Sequence, residues 1–215
     1  MNRYLTGIGR GMVMILASWT WSENAVAQVE FGARVGANFA YRKVYNSLLM
    51  YSSPGQKVFI VSPKALRPAL SVYARLPLAP LFHFESELSY MGMGYSDLAK
   101  NKAIAFNYAS ATESFSYTPC GSIYTNAGVY VGYLLKGEDS ISGREKMDAG
   151  LTIGITFLLT DNLHGGIRYY NGLKDIGKVE KYSGSIYDFD VYNRALQIFF
   201  GFRLSNVSSG GNIKE

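Results

Sequence analysis

The side chains best equipped for chemistry are His83, Glu85 and Glu87, spaced by two in LFHFESELSYMGMGY, residues 81–95. In an extended strand alternate side chains share a face, so the three stand in one row. A histidine and two carboxylates in a row are the donor types of a metal site or an acid–base pair. Neither use is completed. A metal site needs further ligands at fitting spacing, and hydrolysis needs a nucleophile with a base in reach. The second histidine, His164, lies on another stretch. No GxSxG, HExxH or phosphate-loop pattern occurs. GARVGAN, residues 32–38, lacks the spacing and the following helix of a dinucleotide fingerprint. The single cysteine, Cys120, has no CxxC neighbour and no intrachain partner. No catalytic, cofactor-binding or metal-ligating residue is expected, and no cofactor.

A different pattern runs through the charged residues. Glu30 and Arg34 lie in VEFGARVGANFAY (29–41), and Arg75 in RPALSVYARLPL (67–78). Glu85 and Glu87 follow, then Asp148 and Arg168 in a hairpin from Met147 to Leu173, and Arg203 in NRALQIFFGFRL (193–204). Each sits on the polar side of an alternating stretch. Phe31, Ala33, Val35, Ala37 and Phe39 alternate with Glu30, Gly32, Arg34, Gly36 and Asn38. In the hairpin Met147, Ala149, Leu151, Ile153, Ile155 and Phe157 alternate with Asp148, Gly150, Thr152, Gly154 and Thr156. After Thr160-Asp161-Asn162, Leu163, Ile167 and Tyr169 alternate with His164, Gly166, Arg168 and Tyr170. Each hairpin arm can supply the roughly 9–11 residues that a tilted membrane-crossing strand needs.

The elements that position these charges are eight predicted strands. Besides those above, Ile123–Tyr133 alternates clearly, and a strand lies within 103–118, ended by Pro119-Cys120-Gly121. Short turns are expected at Leu78-Ala79-Pro80, Pro119-Cys120-Gly121 and Thr160-Asp161-Asn162, and longer loops after the odd-numbered strands. Those loops include 42–66, 137–145 and 174–190. Short periplasmic turns and long outer loops are the habit of outer-membrane barrels. The fold class read here is all-β, an eight-stranded antiparallel up-and-down transmembrane β-barrel over residues 28–204, with both termini in the periplasm.

Residues 1–27 read as a secretory signal peptide. Arg3 and Arg10 form its basic start, Gly11–Trp21 its apolar stretch, and Ala25-Val26-Ala27 its cleavage site. Residues 205–215 read as a disordered periplasmic tail. The mean hydropathy of +0.01 fits a barrel, in which every second residue is polar, and not a helical membrane protein. The formal charge of +5 comes from scattered Lys and Arg, which excludes a clustered nucleic-acid surface.

Glu30, Arg34, Arg75, Glu85, Glu87, Asp148, Arg168 and Arg203 are therefore expected inside the barrel, acids and bases in equal number. An eight-stranded barrel is just wide enough for side chains to fill. Buried charges cost several kcal/mol each unless paired and hydrogen-bonded. A balanced set suits a self-neutralising plug, whereas a conducting pore needs more strands or a ring of one sign.

FGARVGANFA, FESELSYMGMGYS, NAGVYVGYLL, MDAGLTIGITF, GGIRYYNGLKDIG and LQIFFGFRL together resemble the outer membrane protein beta-barrel domain family that includes the PorT-type proteins. The resemblance runs in order over nearly all of residues 28–204. ATESFSYTPCG, residues 111–121, departs from the apolar-proline stretch that members often carry there. The resemblance implies an eight-stranded barrel of a Gram-negative outer membrane, with some members acting as accessories of a protein-secretion and gliding apparatus. It brings no active-site residues. The expected role is a non-enzymatic scaffold or interaction protein acting through extracellular loops. Its expected partners are outer-membrane lipid, the barrel-assembly machinery during insertion and secretion-system proteins, without nucleic acid. Two alternatives stand beside it: a narrow pore or small-ligand carrier, and a soluble periplasmic barrel of lipocalin type with an apolar interior.

Overall fold

The computed structural model describes residues 29–46, 58–97, 101–137, 145–176, 180–182, 185–187 and 189–207. The expected signal peptide, and the expected tail beyond Val207, lie outside the described residues. The strands are β1 (Val29–Asn46), β2 (Val58–Val61), β3 (Ala65–Ala79), β4 (Phe82–Asp97), β5 (Lys102–Cys120) and β6 (Ile123–Gly137). They continue with β7 (Met147–Leu158), β8 (Leu163–Gly172), β9 (Glu180–Tyr182), β10 (Ser185–Tyr187) and β11 (Phe189–Val207). Eight of them close an antiparallel up-and-down ring in the order β1, β3, β4, β5, β6, β7, β8, β11 and back to β1. The closing ladder pairs Val35 with Phe200 and Phe39 with Leu196. Closure leaves no free sheet edge along the ring, the condition a strand-built wall must meet in hydrocarbon.

The ring corrects several expected boundaries. Residues 42–66 are not one loop. β1 continues to Asn46, and β2 pairs with it at Lys43↔Val61 through Asn46↔Val58. Below, β3 pairs with β1 from Ala40↔Ala65. Ser62-Pro63-Lys64 thus opposes only Tyr41-Arg42, an extra residue of the kind that makes a β-bulge. Pro63 suits that position because it has no amide hydrogen to donate. The Ser62 amide donates to the Arg42 carbonyl and the Ser96 amide to the Pro63 carbonyl, both at 3.0 Å. The bulge breaks the period of two, which is why the stretch reads as loop in the sequence.

The loop after β4 is also short, since β4 ends at Asp97 and β5 starts at Lys102. β5 outruns its expected limits and turns at Gly121-Ser122. Residues 174–190 carry the β9–β10 hairpin and the first residues of β11, which itself continues past Leu204 to Val207.

The ring has an apolar outside and a polar inside. Val35, Ile153 and Phe200 are 57%, 62% and 57% exposed, while their chain neighbours Arg34, Thr152 and Phe199 are 6%, 3% and 1% exposed. Among the described residues no helix is long and apolar enough to cross a membrane. Outward aromatics gather toward both ends. Phe31, Phe82, Tyr117, Phe157 and Phe202 lie near the short-turn end, and Tyr133 toward the other. Such bands mark the two interfaces of a membrane barrel.

Candidate functional site

The lumen is filled in two storeys. The lower one, toward the short turns, holds the charges. Arg34 on β1 donates from Nη1 to Glu85 Oε1 at 2.6 Å and from Nη2 to Glu85 Oε2 at 2.8 Å, and Nη1 also meets Glu87 Oε2. Arg75 on β3 reaches Glu85 Oε2 from Nη2 at 2.9 Å and from Nε at 3.1 Å. Arg168 on β8 reaches both Glu87 oxygens from Nη1 at 3.0 Å and lies 3.5 Å from Glu85. Glu30 and Arg203 form the outer rim of this cluster, 3.3 Å apart and only partly buried, with Glu30 3.5 Å from Arg75. Two carboxylates from one strand are thereby shared by guanidiniums from three others. The bidentate fork of arginine is what allows this sharing.

Aromatic rings hold the cluster in place. The Arg34 guanidinium lies 4.0 Å from the Tyr73 ring centre and 5.2 Å from that of Phe199, within cation–π range. Arg34 Nε also donates to His164 Nε2 at 3.3 Å, so that nitrogen acts as an acceptor. Room for the imidazole depends on Gly201, where a Cβ would fall 2.1 Å from His164 Nε2. Gly32 likewise makes room for the Tyr73 ring, whose nearest atoms would be 2.3 Å from an added Cβ. Beside Arg34 a cavity of about 10 Å³, lined by Gly36, Ser89 and Gln197, is at the lower limit for one water molecule.

The upper storey is aromatic. Tyr170 receives a bond from Arg168 Nη1 at 3.1 Å and packs edge-on against Tyr130, ring centres 5.4 Å apart. The Tyr130 hydroxyl faces Asp148 Oδ2 at 3.5 Å, and Asn193 Nδ2 donates to the same oxygen at 2.9 Å. Above them Arg42 lies beside the stacked Tyr95 and Phe106 rings, 4.2 and 4.4 Å from their centres. Small inward residues on β5 (Ser110, Thr112, Ser114, Ser116) line the same lumen, the alternation of small and large that fills a narrow barrel.

The chain is similar to small outer-membrane β-barrels. Neisserial surface protein A shares 16% identity at a TM-score of 0.44, over 81% of this chain and 97% of that one. The attachment invasion locus protein Ail of Yersinia pestis, in complex with the heparin analogue sucrose octasulfate, shares 15% identity at 0.43, over 82% and 99%. The outer membrane protein AlkL shares 12% identity at 0.41, over 87% and 96%. No protein-family model and no curated protein matches the sequence. The closed ladder of strands, rather than these distant likenesses, decides the fold.

The eight charges expected in the lumen are thus distributed unequally. Arg34, Arg75, Glu85, Glu87 and Arg168 meet directly, and Glu30 and Arg203 cap them. Asp148 is fully buried but belongs to the upper storey, where Asn193 and Tyr130 hold it. His83 shares the inward face with Glu85 but lies beside Tyr124 at 5.9 Å between rings, with no hydrogen bond to its buried Nδ1 among the described residues. Among the described residues no group of three or more His, Cys, Asp or Glu is placed to hold a metal. Sequence reasoning missed the Tyr108–Tyr130–Tyr170–Asn193 storey. Its only signal was tyrosine on the glycine-bearing side of a strand, as in Tyr130 between Gly128 and Gly132.

Proposed function

We propose that this chain is an outer-membrane β-barrel with a sealed lumen, acting as a non-enzymatic scaffold through its extracellular loops. The observation that carries the reading is the Arg34–Glu85–Glu87–Arg168 network inside a wall of exposed Val, Leu, Ile and Phe. Apolar side chains outside and paired charges inside reverse the pattern of a soluble lipocalin-type carrier. Charges in hydrogen-bonded contact leave no continuous one-sign path for ions. The resemblance of the sequence to PorT-type proteins supports a role as an accessory of a protein-secretion apparatus, and Ala25-Val26-Ala27 supports an export signal.

Three measurements test this. Purified protein in planar bilayers should show no steady conductance, and a stable open level would overturn the sealed lumen in favour of a narrow pore. Carbonate washing of membranes should leave the protein in the pellet, and release would overturn the barrel's place in the bilayer. Deleting the gene should reduce the secreted proteome, and unchanged secretion would remove the accessory role.

A further inference from the structure

Arg194 interrupts the apolar wall. It lies on the outward face of β11, two residues from exposed Leu196, with Tyr41 of β1 and Asn171 of β8 as its ladder partners. Nη1 donates to the Tyr169 hydroxyl at 3.4 Å, and that hydroxyl lies 3.1 Å from the Tyr41 hydroxyl. The Arg194 Nε is buried and has no hydrogen-bond partner among the described residues. Two phenols joined by one hydrogen bond leave one O–H proton uncommitted, whichever of them donates. The place therefore presents a phenolic O–H beside the positive charge of a guanidinium.

A second cation stands beside it. Lys43 pairs with Tyr192 where Tyr41 pairs with Arg194, so Lys43 and Arg194 are diagonal neighbours, roughly 7–8 Å apart at that ladder position. Asp190, exposed one outward step beyond Tyr192, is the acid on the same ladder, and Asp175 accepts from the Val191 amide at 2.8 Å. The depth also matters. Arg194 is near the start of β11, at the end away from the short turns, toward which Tyr133 of β6 also lies facing outward. In a membrane barrel this is the belt where acyl chains give way to headgroups. A cation held among hydroxyls at that depth matches a headgroup oxyanion through charge-assisted hydrogen bonds.

We propose that Arg194, Tyr169, Tyr41 and Lys43 form a phosphate-binding site on the outer wall, for the phosphate of an outer-leaflet amphiphile or for free phosphate. The site rests on the barrel reading above but not on the sealed lumen or on any secretion role. The planar fork of Arg194 supplies directional donors, Tyr169 orients it, and Lys43 adds charge.

The test uses the full-length protein in neutral detergent, examined by native mass spectrometry against three probes: lipid A, dephosphorylated lipid A and inorganic phosphate. Wild type should retain lipid A at least about tenfold better than Arg194→Gln, the scale expected when a single charge-assisted hydrogen bond is removed. Dephosphorylated lipid A should bind wild type no better than intact lipid A binds the variant. Tyr169→Phe should weaken retention, and Arg194→Lys should fall between wild type and Gln. Retention of lipid A without binding of inorganic phosphate assigns the site to a lipid. Binding of inorganic phosphate alone assigns it to the free anion. Equal retention by wild type and Arg194→Gln, with both showing the same folded gel mobility, overturns the site. Release of wild type from membranes by carbonate would instead fail the barrel reading, so the two failures are told apart.

Discussion

Arg34 on β1 grips the Glu85 carboxylate on β4 with two nitrogens, Nη1 to Oε1 at 2.6 Å and Nη2 to Oε2 at 2.8 Å. The two residues do not share a ladder: Arg34 pairs with Ser71, and Glu85 pairs with Arg75. Their contact reaches over the intervening strand β3 inside the lumen, so it ties second-neighbour strands of the ring together.

Removing one charge from this cluster should cost more than any single contact is worth. Glu85→Gln removes the carboxylate shared by Arg34, Arg75 and Arg168, leaving Glu87 to Arg34 and Arg168 and the partly buried Glu30 to Arg75. Breaking a buried pair typically costs about 3–5 kcal/mol because the partner stays buried and uncompensated. Urea unfolding in lipid vesicles should show a loss of that size. A loss below about 1 kcal/mol would mean that water reaches the cluster.

Gly201→Ala should be destabilising through His164. An added Cβ at 2.1 Å from Nε2 forces the imidazole off Arg34. Overpacking of this kind costs about 1–3 kcal/mol. His164→Ala should absorb much of the penalty in a double-mutant cycle, with coupling of about 1 kcal/mol or more. Additive effects would place the clash elsewhere.

The wall can be probed by depth. Ile153→Arg puts a charge on the outward face near the middle of β7 and should cost about 2–4 kcal/mol in vesicles. The same change at exposed Leu204, near the short-turn end of β11, should cost about 1 kcal/mol or less. Equal costs at the two positions would contradict a bilayer around the ring.

Glu113 is an acid on that same outward face, between Ala111 and Phe115, and its Oε1 accepts from Ser86 Oγ at 2.8 Å. Glu113→Gln keeps an acceptor for Ser86 and removes the charge. It should raise stability in vesicles by about 1 kcal/mol, since an acid facing lipid is costly though less so than a base. A comparable loss on Glu113→Gln would show that the charge itself is paired at that position.

Cys120 is exposed next to the Gly121-Ser122 turn, at the end assigned to the periplasm. A bulky maleimide should leave it unlabelled in intact cells and label it once the outer membrane is permeabilised. Labelling of intact cells would invert the barrel.

Much of this was legible in the chain because the period of two is a local property. Each residue of VEFGARVGANFAY or MDAGLTIGITF is assigned to the inner or outer face by its own neighbours, so the ring, the greasy wall and the inward charges follow from alternation. The pairing partners do not. Which carboxylate meets Arg34 depends on strand register and on the stagger of a closed ring, and both are set by contacts far apart in sequence. Only the folded ring brings Asp148 to Asn193 and Tyr130. The bulge at Ser62-Pro63-Lys64 is of the same kind: it breaks the local period, and β2 becomes visible as a strand only through its ladder to Lys43–Asn46. Alternation along the chain determined what faces in and what faces out. Tertiary closure decided which charges neutralise which, because only closure sets the distances across the lumen.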